Sequence, residues 1–385
     1  MGRDAIRGNR KKKRPHRKPR SVAKSLRQRQ FHTRGDIVTR KSKFLASTSI
    51  AENLITLPTH PADLPWPTEQ WPREEASPET NAKADTLFDL EPEQGYTYAL
   101  LVIKEGKLIY ERYDAGANAI YMQYSWSVAK SVVHALVGIL VDQGKIDLYE
   151  PAAVPEWQAS GDPRGQITLD QLLRMSSGLA FNEDYVDGQA SDVIPMLIGE
   201  GREDAGAYAA NKPALYPPDQ QWAYSSGTTN IICRLLRDIV GNGATGMSAF
   251  MEDNLFGPLG MRTPTPRFDT SGTFVGSSFL FAIPQDFARF GYLYLRDGVW
   301  DGKRILPEGW VDYARTPTYQ DDEQAYGAHW WLRPDKTSWF MASGYDGQRI
   351  LIAPDKDVMV IRCGRTNVEA IDPIWARLNE LVEQF

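Results

Sequence analysis

The stretch Tyr124–Gly144, "YSWSVAKSVVHALVGILVDQG", decides how the whole chain is read. From Val128 onward it is apolar on nearly every side, which predicts a buried helix ending near Gly144 rather than an amphipathic surface helix. Ser127 and Lys130 stand at its start. A serine on a first helical turn meets unsatisfied backbone N–H groups and the positive end of the helix dipole. Negative charge developing on a substrate oxygen is stabilised there, which makes half of an oxyanion hole. The i, i+3 spacing sets Lys130 on the same face as Ser127. Burial along such a helix lowers a lysine's pKa and lets it take the serine's proton.

The pentapeptide "SVAKS" also occurs at Ser21–Ser25. There it is followed by "LRQRQFHTR", polar on every face, and nothing would hold hydroxyl and ammonium in one geometry. That copy is coincidence, and it shows that a Ser-x-x-Lys match alone is weak. The residues around it, 1–43, carry 17 Lys and Arg against 2 acids. The chain's net charge is −5, so the remainder is strongly acidic. An arm so basic and so poor in apolar residues does not fold alone. Three readings compete for it: an inert extension, a tether to a polyanion or anionic membrane surface, and a targeting segment. No apolar h-region follows the charges, so a secretory signal is disfavoured.

The 385 residues suffice for one large domain or two ordinary ones. No run of eighteen apolar residues exists, and no transmembrane helix is expected. Cys233 and Cys363 lie in apolar stretches and read as buried free thiols of a reducing compartment, with a cytoplasmic location expected. Residues 44–95 are Pro-rich and read as an irregular segment wrapping over a core, with Trp66 and Trp71 as anchors. "YTYALLVIKEGKLIYERYD" is a strand–turn–strand signal. Residues from about 145 to 290 read as helices and loops; strands return in "TSWFMASG", "QRILIAP" and "DVMVIRCGR", and a final amphipathic helix follows. The expected fold is α+β: an antiparallel sheet from the N- and C-terminal segments, flanked by helices, with an all-helical subdomain inserted. The hydrolase-like domain would span 96–385, with the active cleft between its two parts.

Two further motifs supply partners for Ser127. "PPDQQWAYSSGTTN" places Tyr224, Ser225 and Ser226 just before another apolar helix. A phenol beside a lysine ammonium is held partly ionised and acts as a general base. Ser226 would point the same way and bond Lys130 or the leaving group. The bland alternative for Tyr224 is a packed ring with a satisfied hydroxyl. In "FMASGYDGQRI", a strand ending in Ala342, Ser343 and Gly344 offers an open edge beside a substrate. The Tyr345 amide is then the second oxyanion donor.

In this order, these residues resemble the serine β-lactamase and penicillin-binding-protein superfamily. They look most like its branch of class C-type esterases and 6-aminohexanoate-dimer hydrolases. The similarity runs over roughly residues 95–365 and includes "SWSVAKS", "ITLDQLLRMSSGL", "YSSGTTN", "GTFVGSS" and "ARFGYLYLRDGVWDGKRILPEGWV". The resemblance implies Ser127 as acylated nucleophile, Lys130 as its activating partner and Tyr224 as proton shuttle. It implies an oxyanion hole from the amides of Ser127 and Tyr345. In "FNEDYVDG" it makes Tyr185 a substrate-contact candidate beside Ser226, Ser343 and Gly344. Two departures bear on the substrate: Tyr224-Ser225-Ser226 replaces the common Tyr-x-Asn, and Ala342-Ser343-Gly344 replaces Lys-Thr-Gly or a His-containing motif.

Other signals are set aside. "GNGATG" at 241–246 matches a dinucleotide fingerprint, but helical periodicity precedes it where a strand is required, so no nucleotide cofactor is expected. The five histidines lack metal-ligand spacing, and no metal is expected. His134 reads as a satisfied core histidine, and His329 as either structural or part of a cleft wall. No G-x-S-x-G elbow is present. The chain reads as a cofactor-independent serine hydrolase acting on a small ester or amide through an acyl-enzyme. Its rivals are a β-lactamase or D,D-peptidase, and a non-catalytic penicillin-binding-like protein whose arm binds a polyanion.

Overall fold

The computed structural model describes residues 54–185, 191–318, 325–336, 338–367 and 370–385. The basic arm and its SVAKS copy lie outside them. Helix α1 (Pro78–Asp85) precedes a hairpin of β1 (Gly95–Lys104) and β2 (Lys107–Tyr113). Its turn places both Glu105 and Gly106 at positive φ, 49° and 80°, as a two-residue hairpin turn requires. Next come β3 (Gln123–Tyr124) and the buried helix α2 (Val128–Asp142). Five helices follow: α3 (Leu169–Leu173), α4 (Val193–Ile198), α5 (Ala205–Ala210), α6 (Ser226–Val240) and α7 (Gly243–Met251). The chain then forms β4 (Thr265–Pro266), β5 (Leu280–Ala282) and α8 (Pro284–Leu295). A small ribbon, β6 (Val299–Trp300) with β7 (Lys303–Arg304), leads to α9 (Trp310–Ala314). The C-terminal run is β8 (Trp331–Leu332), β9 (Phe340–Gly344), β10 (Gln348–Ala353), β11 (Val358–Thr366) and α10 (Ile371–Glu383).

One antiparallel sheet is built from both ends of the chain, in the order β2-β1-β11-β10-β9-β8. Its strands are apolar on both faces because both faces are covered. Leu101, Ile103, Ile350, Ile352 and Ile361 join the core that holds α2 and α8. Leu100, Val102, Leu351 and Val360 join a second core with Ile374, Leu378 and Leu381 of α10. A side-chain period of two therefore feeds two separate cores from each strand.

The wrapping segment is anchored as its tryptophans suggested. Trp71 is buried and meets Tyr292 of α8 edge-on at 5.4 Å, and Trp66 stacks on His60 at 4.0 Å. The segment is not wholly irregular, because residues 78–85 are helical. Ser77 accepts from the Thr80 amide, and Pro78 occupies the first turn. That Ser-Pro start was a readable helix signal in a segment too short to show periodicity. The expected helical stretch 145–290 likewise contains β4 and β5, which pair with β3 as a three-stranded sheet. At its end, α8 packs on the large sheet instead of among the inserted helices.

Candidate active site

Ser127 is the N-cap of α2, and its hydroxyl makes no capping bond. The residue before it, Trp126, has φ of +44°, a left-handed conformation that a bulky side chain rarely adopts. Its ring is held from three sides, by Tyr124 at 5.7 Å, Tyr345 at 5.6 Å and Phe279 at 6.3 Å between centroids. This tight bend brings β3 directly into the serine. Gly344 makes room for it: a Cβ there would lie 2.4 Å from the Ser125 carbonyl oxygen. The end of β9, with Gly344 and then Tyr345, thus lies against the residues that lead into Ser127.

Lys130 is only 2% exposed. Its Nζ lies 3.0 Å from Ser127 Oγ, 3.0 Å from Ser226 Oγ and 2.9 Å from the Ser277 carbonyl oxygen. Directions follow from the partners. Ser226 Oγ donates to Glu183 Oε1 at 2.6 Å, so it must accept from Lys130. The Ser277 carbonyl also only accepts. Two of the amine's hydrogens are therefore committed, and its third position faces Ser127. Burial lowers the Lys130 pKa to about 8, against an opposing pull from the Glu183 charge. A neutral amine would present its lone pair to the Ser127 hydroxyl.

Tyr224 completes the cluster. The Lys130 Nζ lies 4.8 Å from its ring centroid, and Ser127 is near enough to its hydroxyl to lower the phenol's pKa. The expected partial ionisation does not hold. Burial raises the phenol's pKa, the Glu183 charge raises it further, and neighbouring Ser127 and the Arg349 charge only partly offset this. The resting phenol is protonated.

Three residues of the network were not foreseen. Glu183 accepts from the Ser226 amide at 2.8 Å, from the Ser226 hydroxyl and from the Tyr185 hydroxyl at 2.6 Å. Asn230 donates to Ser277 Oγ at 3.1 Å and accepts from the Ser277 amide at 3.3 Å, fixing the carbonyl that holds Lys130. All three fall in stretches singled out from the sequence, Glu183 in "FNEDYVDG", Asn230 in "YSSGTTN" and Ser277 in "GTFVGSS", but none was given a role there.

The other predicted site residues divide. Ser226 touches Lys130, and Tyr185 stands half-exposed with its ring 5.8 Å from that of Tyr345. Ser343 pairs with Arg349 and shares the sheet face of Met341 and Leu351, the face under α10. Its side chain is thus turned from Ser127, and only the backbone at the end of β9 approaches the nucleophile. His329 is structural: Nδ1 donates to the Leu173 carbonyl at 2.7 Å and Nε2 accepts from Thr229 at 3.0 Å. Burial drops its pKa to about 3 and keeps it neutral. His134 is buried with Nδ1 2.7 Å from the Tyr294 hydroxyl, while its Nε2 has no partner among the described residues. Cys233 and Cys363 are buried free thiols, and "GNGATG" spans the two-residue break after α6 and the first turn of α7.

Comparison with known proteins identifies the family and the fold. The family model described as Beta-lactamase matches residues 85–378. A 6-aminohexanoate-dimer hydrolase of Paenarthrobacter ureafaciens is 25% identical over 303 residues, 73% of this chain and 76% of that protein. A Bacillus anthracis protein, solved as a candidate 6-aminohexanoate-dimer hydrolase, superposes with a TM-score of 0.66 at 20% identity. That match covers 87% of this chain and 89% of the other. A family VIII carboxylesterase gives a TM-score of 0.62 at 16% identity, covering 81% of this chain and 99% of that one.

Proposed function

As the chain belongs to the beta-lactamase family, we propose that it is a serine hydrolase that cleaves small esters or amides through an acyl-enzyme on Ser127. The observation that carries this reading is the Lys130 amine, with two hydrogens committed elsewhere and its third position 3.0 Å from Ser127 Oγ. Lys130 takes the proton as Ser127 Oγ attacks the substrate carbonyl. The oxyanion that forms is received by the amides of Ser127 and Tyr345. Tyr224, protonated at rest, passes its proton to the leaving alcohol or amine and regains the one that the neighbouring Lys130 took from Ser127. Water then attacks the acyl-serine by the reverse proton path. Glu183 positions Ser226, and through it the amine.

The pH dependence tests this assignment. With a Lys130 pKa of about 8, kcat/KM should fall about tenfold per pH unit below that value and level off above it. The Glu183 charge raises the Lys130 pKa, so Glu183→Gln should move the acid limb to lower pH. A limb that stays in place, or moves up, would remove Glu183 from this role.

Substrate choice follows from the third motif. Penicillins and cephalosporins carry a carboxylate near the reactive ring. Ala342 offers no cation to it, Ser343 faces the other side of the sheet, and Arg349 Nη1 is bound to the Gly344 and Gln348 carbonyls. A charge-assisted contact is worth about 1.5 to 3 kcal/mol, or roughly ten- to a hundredfold in rate. A short-chain nitrophenyl ester should therefore show a higher kcat/KM than a chromogenic cephalosporin. The reverse order would favour a β-lactamase.

A further inference from the structure

The hairpin between β9 and β10 is held by side chains that the proposed chemistry leaves unused. It turns through Asp346 and Gly347, at φ of 60° and 80°, and the Gln348 amide closes it on the Tyr345 carbonyl. Arg349 Nη1 donates to the Gly344 carbonyl at 2.9 Å and to the Gln348 carbonyl at 2.8 Å. Arg362 Nη1 donates to the Gly347 carbonyl at 2.9 Å, and Gln348 Nε2 to that of Tyr345 at 3.3 Å. Arg362 is fully buried; Arg349 is partly buried, its guanidinium 5.1 Å from the Trp375 ring of α10. Neither forms an ion pair among the described residues. Burial lowers the Arg349 pKa to about 10 and the Arg362 pKa to about 9, so both are charged at neutral pH. A buried charge without a counter-ion is destabilising, and the fold keeps two of them behind one turn.

The Gly344 carbonyl gives one of these cations a use. It belongs to the same peptide unit as the Tyr345 N–H, and in a trans peptide the two point in opposite directions. A donor that fixes the carbonyl therefore fixes the N–H as well. A charged donor also polarises the peptide, which makes its N–H the stronger hydrogen-bond donor. Arg349 lies on the α10 face of the sheet, as its pairing with Ser343 and its contact with Trp375 require. It acts through the peptide and does not touch the substrate.

We propose that Arg349 is a positioning residue of the oxyanion hole, which aims and polarises the Tyr345 amide by holding the Gly344 carbonyl. This rests on the Tyr345 amide being an oxyanion donor. In the full chain, Arg349→Met should lower kcat for a nitrophenyl ester roughly ten- to a hundredfold and leave KM within about twofold, because the oxyanion exists only in the transition state. Arg349→Lys keeps a charged donor and should recover most of that loss, which a purely structural role for the guanidinium would not allow. A second measurement needs no turnover. The sequence holds three Gly-Tyr peptides, Gly95-Tyr96, Gly291-Tyr292 and Gly344-Tyr345. Isotopic labelling of glycine carbonyl carbon and tyrosine nitrogen therefore leaves three amide signals in a carbonyl-selected NMR spectrum. The Gly344-Tyr345 signal, assigned by its loss in Tyr345→Phe, should move in Arg349→Met, its amide proton upfield, while the other two stay. A signal that moves in a chain that hydrolyses no ester would fault the hydrolase reading and not the hold on the peptide. A signal that stays in place, or a kcat in Arg349→Met within about twofold of the unaltered chain, would overturn the role of Arg349.

Discussion

Replacing Ser127 with alanine should reduce ester hydrolysis by on the order of 10⁴ to 10⁶. The loss should be this large because no other oxygen takes the same place. Ser226 Oγ also contacts Lys130, but it is committed as a donor to Glu183. Ser131 Oγ is turned away and bonded to the His329 carbonyl at 2.8 Å. The fold should survive, since Ser127 makes no capping bond and α2 is held by its apolar residues. Turnover within tenfold of the unaltered protein would place the nucleophile elsewhere.

Lys130 and Tyr224 should behave as one unit. Lys130 contacts Ser127 Oγ at 3.0 Å, Tyr224 lies beside both, and each handles a proton that the other needs. Lys130→Ala and Tyr224→Phe should each cost on the order of 10² to 10⁴ in kcat/KM. The double variant should be little worse than the poorer single one, because a proton path cut once is already cut. Tyr224→Phe is the cleaner of the two. Its ring packs against Trp331 at 5.3 Å and Tyr326 at 5.8 Å, contacts that phenylalanine keeps. Losses that multiply in the double variant would show two independent roles.

The sequence was most legible where a pattern is continuous. The apolar run after Ser127 made α2 readable, and alternating β-rich runs at both chain ends made the sheet readable. Ser127, Lys130, Tyr224 and Ser226 were reachable because spacing and helix starts set direction locally. What escaped depended on contacts between distant segments. Asn230 and Ser277 are 47 positions apart, and nothing local marks either as a brace for Lys130. The phenol of Tyr224 was misjudged for the same reason: its pKa is governed by burial and by Glu183, neither visible from the neighbouring residues. Ser343 was assigned to the cleft by motif, while the strand's period of two, counted from its pairing with Arg349, turns it outward. The Ser77-Pro78 start of α1 was present in the sequence but masked by the prolines around it.

The most direct measurement is to trap the covalent intermediate. The protein would be treated with an active-site alkylphosphonate, digested, and the modified residue located by mass spectrometry. One adduct per chain is expected, on Ser127, with Ser21 and Ser226 unmodified and no labelling of Ser127→Ala. Its rate of formation should rise with pH through about 8, as the Lys130 amine becomes neutral. An adduct on any other residue, or labelling that persists in Ser127→Ala, would contradict the assignment of Ser127 as the nucleophile.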